Sequence, residues 1–131
     1  MAPAPRTVVI VEDEPDTAEM FAEMMRLSGY EVHKAHGGKA GIAIIIQERP
    51  DAVILDLMMP DLSGLDVLRI LRRDPDLKDI PVIIVSAKSL PEDIQTGMET
   101  GASVYLTKPV SFLDIKSAVE DAIDHSNKPS S

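Results

Sequence analysis

Five polar residues, each standing at the end of an apolar run typical of a β-strand, could form one chemical site. Glu12 and Asp13 follow "TVVIV", Asp56 follows "AVIL", Ser86 ends "PVIIVS", and Lys108 follows "SVYLT". In an open parallel sheet the carboxyl ends of the strands meet at one edge, where ligands bind. The sequence therefore predicts that these five side chains converge.

The predicted cluster suits the binding of a phosphoryl group. Three neighbouring carboxylates repel each other, so at least one pKa should rise above its usual value of about 3.9. A cation relieves this conflict, and Mg²⁺ takes oxygen ligands in an octahedron at about 2.0–2.1 Å. Mg²⁺ with a lysine and a hydroxyl is a good receptor for a phosphoryl group. One of the carboxylates is then a plausible nucleophile.

Alternating strand and helix patterns support the parallel sheet. The predicted strands are Thr7–Val11, Tyr30–Ala35, Ala52–Leu55, Pro81–Ser86 and Ser103–Thr107. The runs at Val8, Val53 and Val82 are continuously apolar, as in central strands covered on both faces. The run at Ser103 alternates in polarity, which favours an edge strand.

The segments between the predicted strands show the patterns of helices. Apolar residues recur at helical spacing in two segments: Ala18, Phe21, Ala22 and Met25, and Ile115, Ala118, Val119, Ala122 and Ile123. The segment "GIAIIIQERP" is interpreted as a helix from its place in the alternation and from Pro50 behind it. Capping boxes are predicted at Ser63, Ser89 and Ser111. Either Glu12 or Asp13 could also cap the first helix.

Composition excludes several classes of function. With 131 residues the chain is long enough for one domain with a sizeable core. It has no cysteine, and hence no disulfide or thiolate metal site. A net charge of −9 and only four aromatic residues argue against nucleic-acid binding. The N-terminus lacks a signal-peptide pattern and no apolar run is of membrane-spanning length, so a cytoplasmic protein is expected.

The chain resembles the receiver domains of two-component response regulators. The resemblance rests on "VVIVEDEP", "VILDLMMPDLSGLDVL", "IPVIIVSAK" and "GASVYLTKPVS", whose combination is highly specific. It implies an α/β fold of the doubly wound (βα)5, flavodoxin-like type, with strand order 2-1-3-4-5. The predicted organisation is an N-terminal extension over residues 1–6, the receiver domain over 7–126 and a disordered polar tail over 127–131.

The resemblance also implies roles for the acidic residues. Asp56 matches the aspartate that accepts the phosphoryl group, with Mg²⁺ as cofactor. Asp13 matches the direct metal ligand, and Glu12 matches the acid that reaches the metal through water. The backbone carbonyl of Met58 is expected to be a further ligand. Catalysis is expected only on the protein itself, as phosphotransfer to Asp56 and slow autodephosphorylation.

Residues near the last two strands are implied to form a switch. Ser86 matches the hydroxyl that turns toward the phosphoryl group, and Lys108 matches the family lysine, with a cis bond to Pro109. Tyr105 matches the aromatic that swings inward when Ser86 moves. The fourth helix, for which Ile94 and Met98 are the predicted core anchors, is expected to form an output face with the fifth strand and fifth helix.

The expected partners are a histidine kinase or phosphotransfer protein and a downstream protein target. Met20, Met24 and Leu27 fall on the face of the first helix opposite its buried residues. They are a candidate docking patch for the donor helix, because methionine adapts to partner surfaces. No direct contact with nucleic acid or membrane is expected, and the chain is expected to be a monomer or a phosphorylation-dependent homodimer.

Three other functions fit the same fold. A flavin-binding electron carrier would need a phosphate loop after the first strand, where "EDEP" would repel the flavin phosphate. A Mg²⁺-dependent phosphohydrolase with an aspartyl nucleophile usually has a second acid two residues after it, where this chain has Met58. A phosphorylation-independent interaction module would not need the five polar residues.

Overall fold

A computed structural model describes residues 4–126 of the chain. The strands are β1 (Thr7–Val11), β2 (Glu31–Ala35), β3 (Ala52–Leu55), β4 (Val82–Ser86) and β5 (Val104–Thr107). The helices are α1 (Pro15–Leu27), α2 (Gly38–Glu48), α3 (Gly64–Arg73), α4 (Pro91–Thr100) and α5 (Phe112–Ser126). The predicted tail over 127–131 lies outside the described residues. None of the described helices is long and apolar enough to cross a membrane.

The strands form one parallel sheet in the order β2-β1-β3-β4-β5. This confirms the predicted doubly wound fold, including helix α2 in the isoleucine-rich segment. The three central strands are almost wholly buried because helices cover both of their faces. Strand β2 lies on one side of β1 and β3 lies on the other, so the switch point in strand order falls at the adjoining carboxyl ends of β1 and β3.

Two apolar cores lie on opposite faces of the sheet. On one face Phe21 and Met25 of α1 and Ile115 of α5 pack against β1, β3 and β4. On the other face Ile45 of α2 and Leu68 of α3 pack against the alternate residues of the same strands. The two cores pack against the strands from both sides and so set the backbone positions from which the side chains at the carboxyl ends leave the sheet.

Helix starts agree with the sequence in part. Ser63 accepts a hydrogen bond from the Asp66 amide, and Ser111 accepts one from the Asp114 amide, as predicted. The predicted cap at Ser89 is wrong, because α4 is preceded by Leu90 and has no side-chain cap. Glu14 caps α1 through the amides of residues 16 and 17, and neither Glu12 nor Asp13 does so.

Helix α4 is anchored differently from the prediction. Met98 is 44% exposed and does not anchor the helix, Ile94 is half-buried, and Gly97 is the one buried residue of α4. A Cβ atom at Gly97 would lie 2.8 Å from Cδ2 of Tyr105 and 3.1 Å from Cδ1 of Ile84. The glycine therefore lets the helix backbone approach the tyrosine ring more closely than a side chain would permit.

Candidate functional site

The carboxyl ends of β1 and β3 bring three carboxylates together. Glu12, Asp13 and Asp56 each offer an oxygen atom, and these atoms all lie within 4.8 Å of one another. The amide of Asp56 donates to the Val11 carbonyl at 3.0 Å, and the amide of Glu12 donates to the Ala35 carbonyl at 2.9 Å. The acidic residues thus leave the sheet from hydrogen-bonded backbone, which limits how far they can move apart.

Lys108 extends into this cluster from the end of β5. Its Nζ atom lies 2.7 Å from Oε1 of Glu12 and 3.3 Å from Oδ2 of Asp56. Its amide donates to the Ser86 carbonyl at 2.9 Å, and the following bond to Pro109 is cis, as expected. Three carboxylates facing one ammonium leave two negative charges uncompensated when all four groups are ionised.

Burial makes this charge imbalance costly. Glu12 is 2% exposed and Asp56 is 6% exposed. Burial raises the pKa of Glu12, the nearby Asp56 charge raises it further, and the hydrogen bond with Lys108 opposes both effects. Burial acts to lower the pKa of Lys108, but the hydrogen bond with Glu12 and the Asp56 charge outweigh it and raise that pKa. The cluster thus favours an added cation.

The donors present fit a hard divalent cation. All three side chains offer carboxylate oxygens, and the described residues contain no thiolate or histidine within this group. The loop after β3 turns back at Asp56, whose Oδ1 accepts a hydrogen bond from the Met58 amide at 3.2 Å. Oxygen-only ligation with an excess of two negative charges is the donor set that Mg²⁺ prefers.

Ser86 and Tyr105 are connected through the loop that follows β4. Ser86 is fully buried, and its Oγ atom accepts a hydrogen bond from the Lys88 amide at 3.2 Å. The Tyr105 hydroxyl donates to the Lys88 carbonyl at 2.7 Å. Lys88 is therefore the backbone link between the serine at the end of β4 and the half-buried tyrosine on β5.

The candidate docking patch on α1 is smaller than predicted. Met20 is 46% exposed and Leu27 is 73% exposed, and together with Met24 they line a groove with Asp16, Glu19 and Glu23. Met24, however, is half-buried and packs against the core beneath α1. Of the three predicted patch residues, Met20 and Leu27 are therefore the exposed ones.

Comparison with known proteins identifies the family. The sequence model of the response regulator receiver domain family matches residues 8–120 of the chain. The chain belongs to the response regulator receiver domain family. Receiver domains in this family are signalling proteins that interact with histidine kinases or phosphotransfer proteins and with downstream effectors.

Individual relatives agree with this assignment. The receiver domain is 41% identical over 111 residues to the probable transcriptional regulatory protein TcrX of Mycobacterium tuberculosis, covering 85% of this chain and 47% of TcrX. It is 34% identical to the polar-differentiation response regulator DivK of Brucella anthropi, covering 90% of this chain and 99% of DivK. The chain thus spans about half the length of TcrX and nearly all of DivK.

A solved structure supports the fold. The crystal structure of a putative response regulator from Chloroflexus aurantiacus superposes with a TM-score of 0.88 at 30% identity, covering 92% of this receiver domain and 99% of that chain. The two chains therefore share their fold over most of their length.

Sequence reasoning missed residues that support the site without belonging to it. Gly64, at the start of α3, lies against the backbone of Asp56 and Leu57. Asp61 bonds to the start of α2 from the loop after β3. Gly64 and Asp61 both lie within "VILDLMMPDLSGLDVL", one of the stretches that carry the family resemblance. No local pattern shows which residues they contact.

Proposed function

We propose that this receiver domain is a signalling switch activated by phosphorylation of Asp56 in the presence of Mg²⁺. The observation that supports it is the grouping of Glu12, Asp13 and Asp56 within 4.8 Å, with the Lys108 ammonium 3.3 Å from Asp56. Intact-mass measurement after incubation with acetyl phosphate tests it. The protein should gain one phosphoryl group with Mg²⁺ and none with EDTA.

The proposed reaction is a single transfer onto Asp56. A carboxylate oxygen attacks the phosphorus, an oxygen–phosphorus bond forms, and the bond to the donor breaks. With a phosphohistidine donor the phosphorus–nitrogen bond breaks and the imidazole keeps the electron pair, then takes up a proton. The product is a mixed carboxylic–phosphoric anhydride. Lys108 would stay beside it and offset the charge that the phosphoryl oxygens bring.

A magnesium ion would be held by Asp13, Asp56 and the Met58 carbonyl, with Glu12 reached through water. When bound, it neutralises charge on the carboxylates and on the phosphoryl oxygens. The proposed chemistry acts on the protein itself. Phosphotransfer to Asp56 and slow autodephosphorylation are the expected reactions, and no turnover of an external substrate is expected.

We assign the output to the face formed by α4, β5 and α5. Movement of Ser86 toward the phosphoryl group would break its bond from the Lys88 amide, and the Lys88 carbonyl is also the acceptor for Tyr105. Helix α4 buries only Gly97, so a small change in this loop can shift it at low cost.

Beryllofluoride with Mg²⁺ is expected to change amide exchange in α4 and β5 by several-fold, because Tyr105 of β5 is bonded to the Lys88 carbonyl and its ring lies against Gly97 of α4. Hydrogen–deuterium exchange measures the change. Strand β1 is the internal control, since its ladder is buried and bonded on both sides. Identical exchange in α4 and β5 with and without the mimic would contradict the proposed output face.

Met20 and Leu27 are proposed to dock the helix of the phosphodonor. A glutamate at either position should lower the rate of phosphotransfer from the cognate donor about tenfold. Either substitution puts a negative charge into an apolar contact that Asp16, Glu19 and Glu23 already surround with negative charge. Phosphorylation by acetyl phosphate should be unchanged. Transfer is followed with radiolabelled donor protein.

Ile46→Glu is the matched control for these variants. Ile46 is 51% exposed on α2, which packs on the opposite face of the sheet from α1. Equal donor rates for the wild type, Met20→Glu and Leu27→Glu would remove α1 from the docking surface. Met24 is left unchanged, because its contact with the core would mix a folding effect into the result.

The other partner assignments stay predictions of the sequence. They are a downstream protein target, a monomer or phosphorylation-dependent dimer, a cytoplasmic location and no direct contact with nucleic acid or membrane. The family assignment does not favour the flavin carrier or the phosphohydrolase. A coloured purified protein would support the former, and turnover of small phosphate esters would support the latter.

A further inference from the structure

Helix α2 begins without a cap of its own. Gly37 precedes the helix and has no side chain, and the first amides are bonded by a residue from another loop. Oδ1 of Asp61 accepts from the Gly38 amide at 3.0 Å, and Oδ2 accepts from the Lys39 amide at 3.1 Å. These two bonds tie the loop between β3 and α3 to the start of α2.

Two glycines allow this close approach. A Cβ atom at Gly37 would lie 3.2 Å from both carboxylate oxygens of Asp61. A Cβ atom at Gly38 would lie 2.7 Å from the Leu62 carbonyl oxygen and 2.8 Å from the Leu62 Cβ. The "HGG" segment and the "PDL" segment therefore fit against each other along their backbones, and the contact extends beyond one side chain.

The same junction also contacts the first acidic loop. Nδ1 of His36 lies 3.2 Å from the Glu12 carbonyl oxygen. The Ala35 carbonyl accepts from the Glu12 amide at 2.9 Å. Residues 35–39 thus bond to Glu12 on one side and to Asp61 on the other. They bridge the two loops that bear the carboxylates of the candidate metal site.

We propose that Asp61 is a positioning residue for metal binding, which holds the β3–α3 loop so that Asp56 and the Met58 carbonyl meet the ion correctly. The proposal rests on the proposed function, since it assumes Mg²⁺ at the acidic cluster. Mg²⁺ demands near-ideal octahedral geometry, so a loop shift of a few tenths of an ångström weakens its binding. Asp61 is not among the three grouped acids, and its carboxylate is bonded to the start of α2, so it acts through the backbone.

Asp61→Ala should raise the Mg²⁺ dissociation constant about tenfold, as is typical when a group supporting a metal ligand is removed. Asp61→Asn keeps one acceptor oxygen and should give an intermediate value. The readout is the shift of backbone amide resonances during titration with MgCl₂. Acetyl phosphate is not needed, so the measurement does not depend on phosphotransfer.

Asp51→Ala is the matched control. Asp51 is also exposed, and its Oδ2 accepts from the Thr7 amide at 2.7 Å, but this bond lies at the opposite end of the sheet. Its loss should lower stability without affecting Mg²⁺. An Asp61→Ala protein that binds Mg²⁺ as tightly as the wild type overturns the proposal, whatever its stability.

Amide exchange in metal-free protein separates this proposal from the proposed function. Asp61→Ala, but not Asp51→Ala, should speed exchange severalfold at Met58 and Gly64, whose amides donate to Asp56 Oδ1 and the Leu57 carbonyl. A wild type that fails to bind Mg²⁺ contradicts the metal site of the proposed function. In that case unchanged exchange at Met58 and Gly64 in Asp61→Ala would still overturn the support assigned to Asp61.

Discussion

Asp56→Ala is expected to gain no phosphoryl group from acetyl phosphate under conditions in which the wild type gains one. The substitution removes the only group proposed to form the new oxygen–phosphorus bond, and a methyl group has no lone pair to attack phosphorus. We expect the loss to be complete. Intact-mass measurement decides the outcome.

The experiment needs controls for folding and for nonspecific labelling. Asp51→Ala removes a carboxylate from the opposite end of the sheet and should be labelled like the wild type. Circular dichroism should show the same helix content for both variants. A phosphoryl group on Asp56→Ala would mean that another residue is the acceptor, and peptide mapping of the labelled protein would then identify it.

Gly64→Ala is expected to lower the free energy of unfolding by about 3 kcal/mol, the upper part of the range for overpacking. The added Cβ would lie 2.2 Å from the Asp56 carbonyl oxygen and 2.7 Å from Cα of Leu57. Both obstacles are backbone atoms, so no side-chain rotation relieves the contact. Either α3 moves outward or the backbone at Asp56 shifts.

Both adjustments should impair the site as well as the fold. The Gly64 amide donates to the Leu57 carbonyl at 3.0 Å, and this bond would lengthen or break. We therefore expect Gly64→Ala to lose most of its labelling by acetyl phosphate in addition to stability. Urea denaturation measures the stability change, and intact mass measures the labelling.

Ser63→Ala separates the effect of crowding from that of altering the start of α3. It introduces the same residue one position earlier and removes the cap to Asp66, which should cost about 1 kcal/mol. Its labelling should persist. Equal urea midpoints for Gly64→Ala and Ser63→Ala would show that crowding against the Asp56 backbone costs no more than the loss of the cap, and would contradict the larger effect expected for Gly64→Ala.

Much of the fold could be read from the chain because its signals are local. Apolar, β-branched runs at Val8, Val53 and Val82 are typical of central parallel strands, and the helical spacing in α1 and α5 matches their buried faces. Polar residues at strand ends could be located for the same reason. A strand end is a local feature, and parallel order places all such ends at one edge.

Local signals failed at two helix starts and at one contact between distant segments. The pattern Ser89-x-x-Glu92 resembles a capping box, but Pro91 starts α4 after Leu90 and leaves the serine outside the helix. Met98 has helical spacing from Ile94, but Gly97 faces the sheet instead because the Tyr105 ring occupies the space beneath it. Glu14, and neither of the two preceding acids, caps α1.

The sequence by itself determined the order of elements, the parallel sheet and which polar residues stand at its carboxyl edge. Tertiary structure alone decided that Asp61 caps α2 and that Gly64 lies against Asp56. Spacing along one chain specifies which face of an element is apolar, because that periodicity is local. Hydrogen bonds between loops depend on the distance at which the packed elements hold those loops. The sequence pattern within either loop does not show that distance.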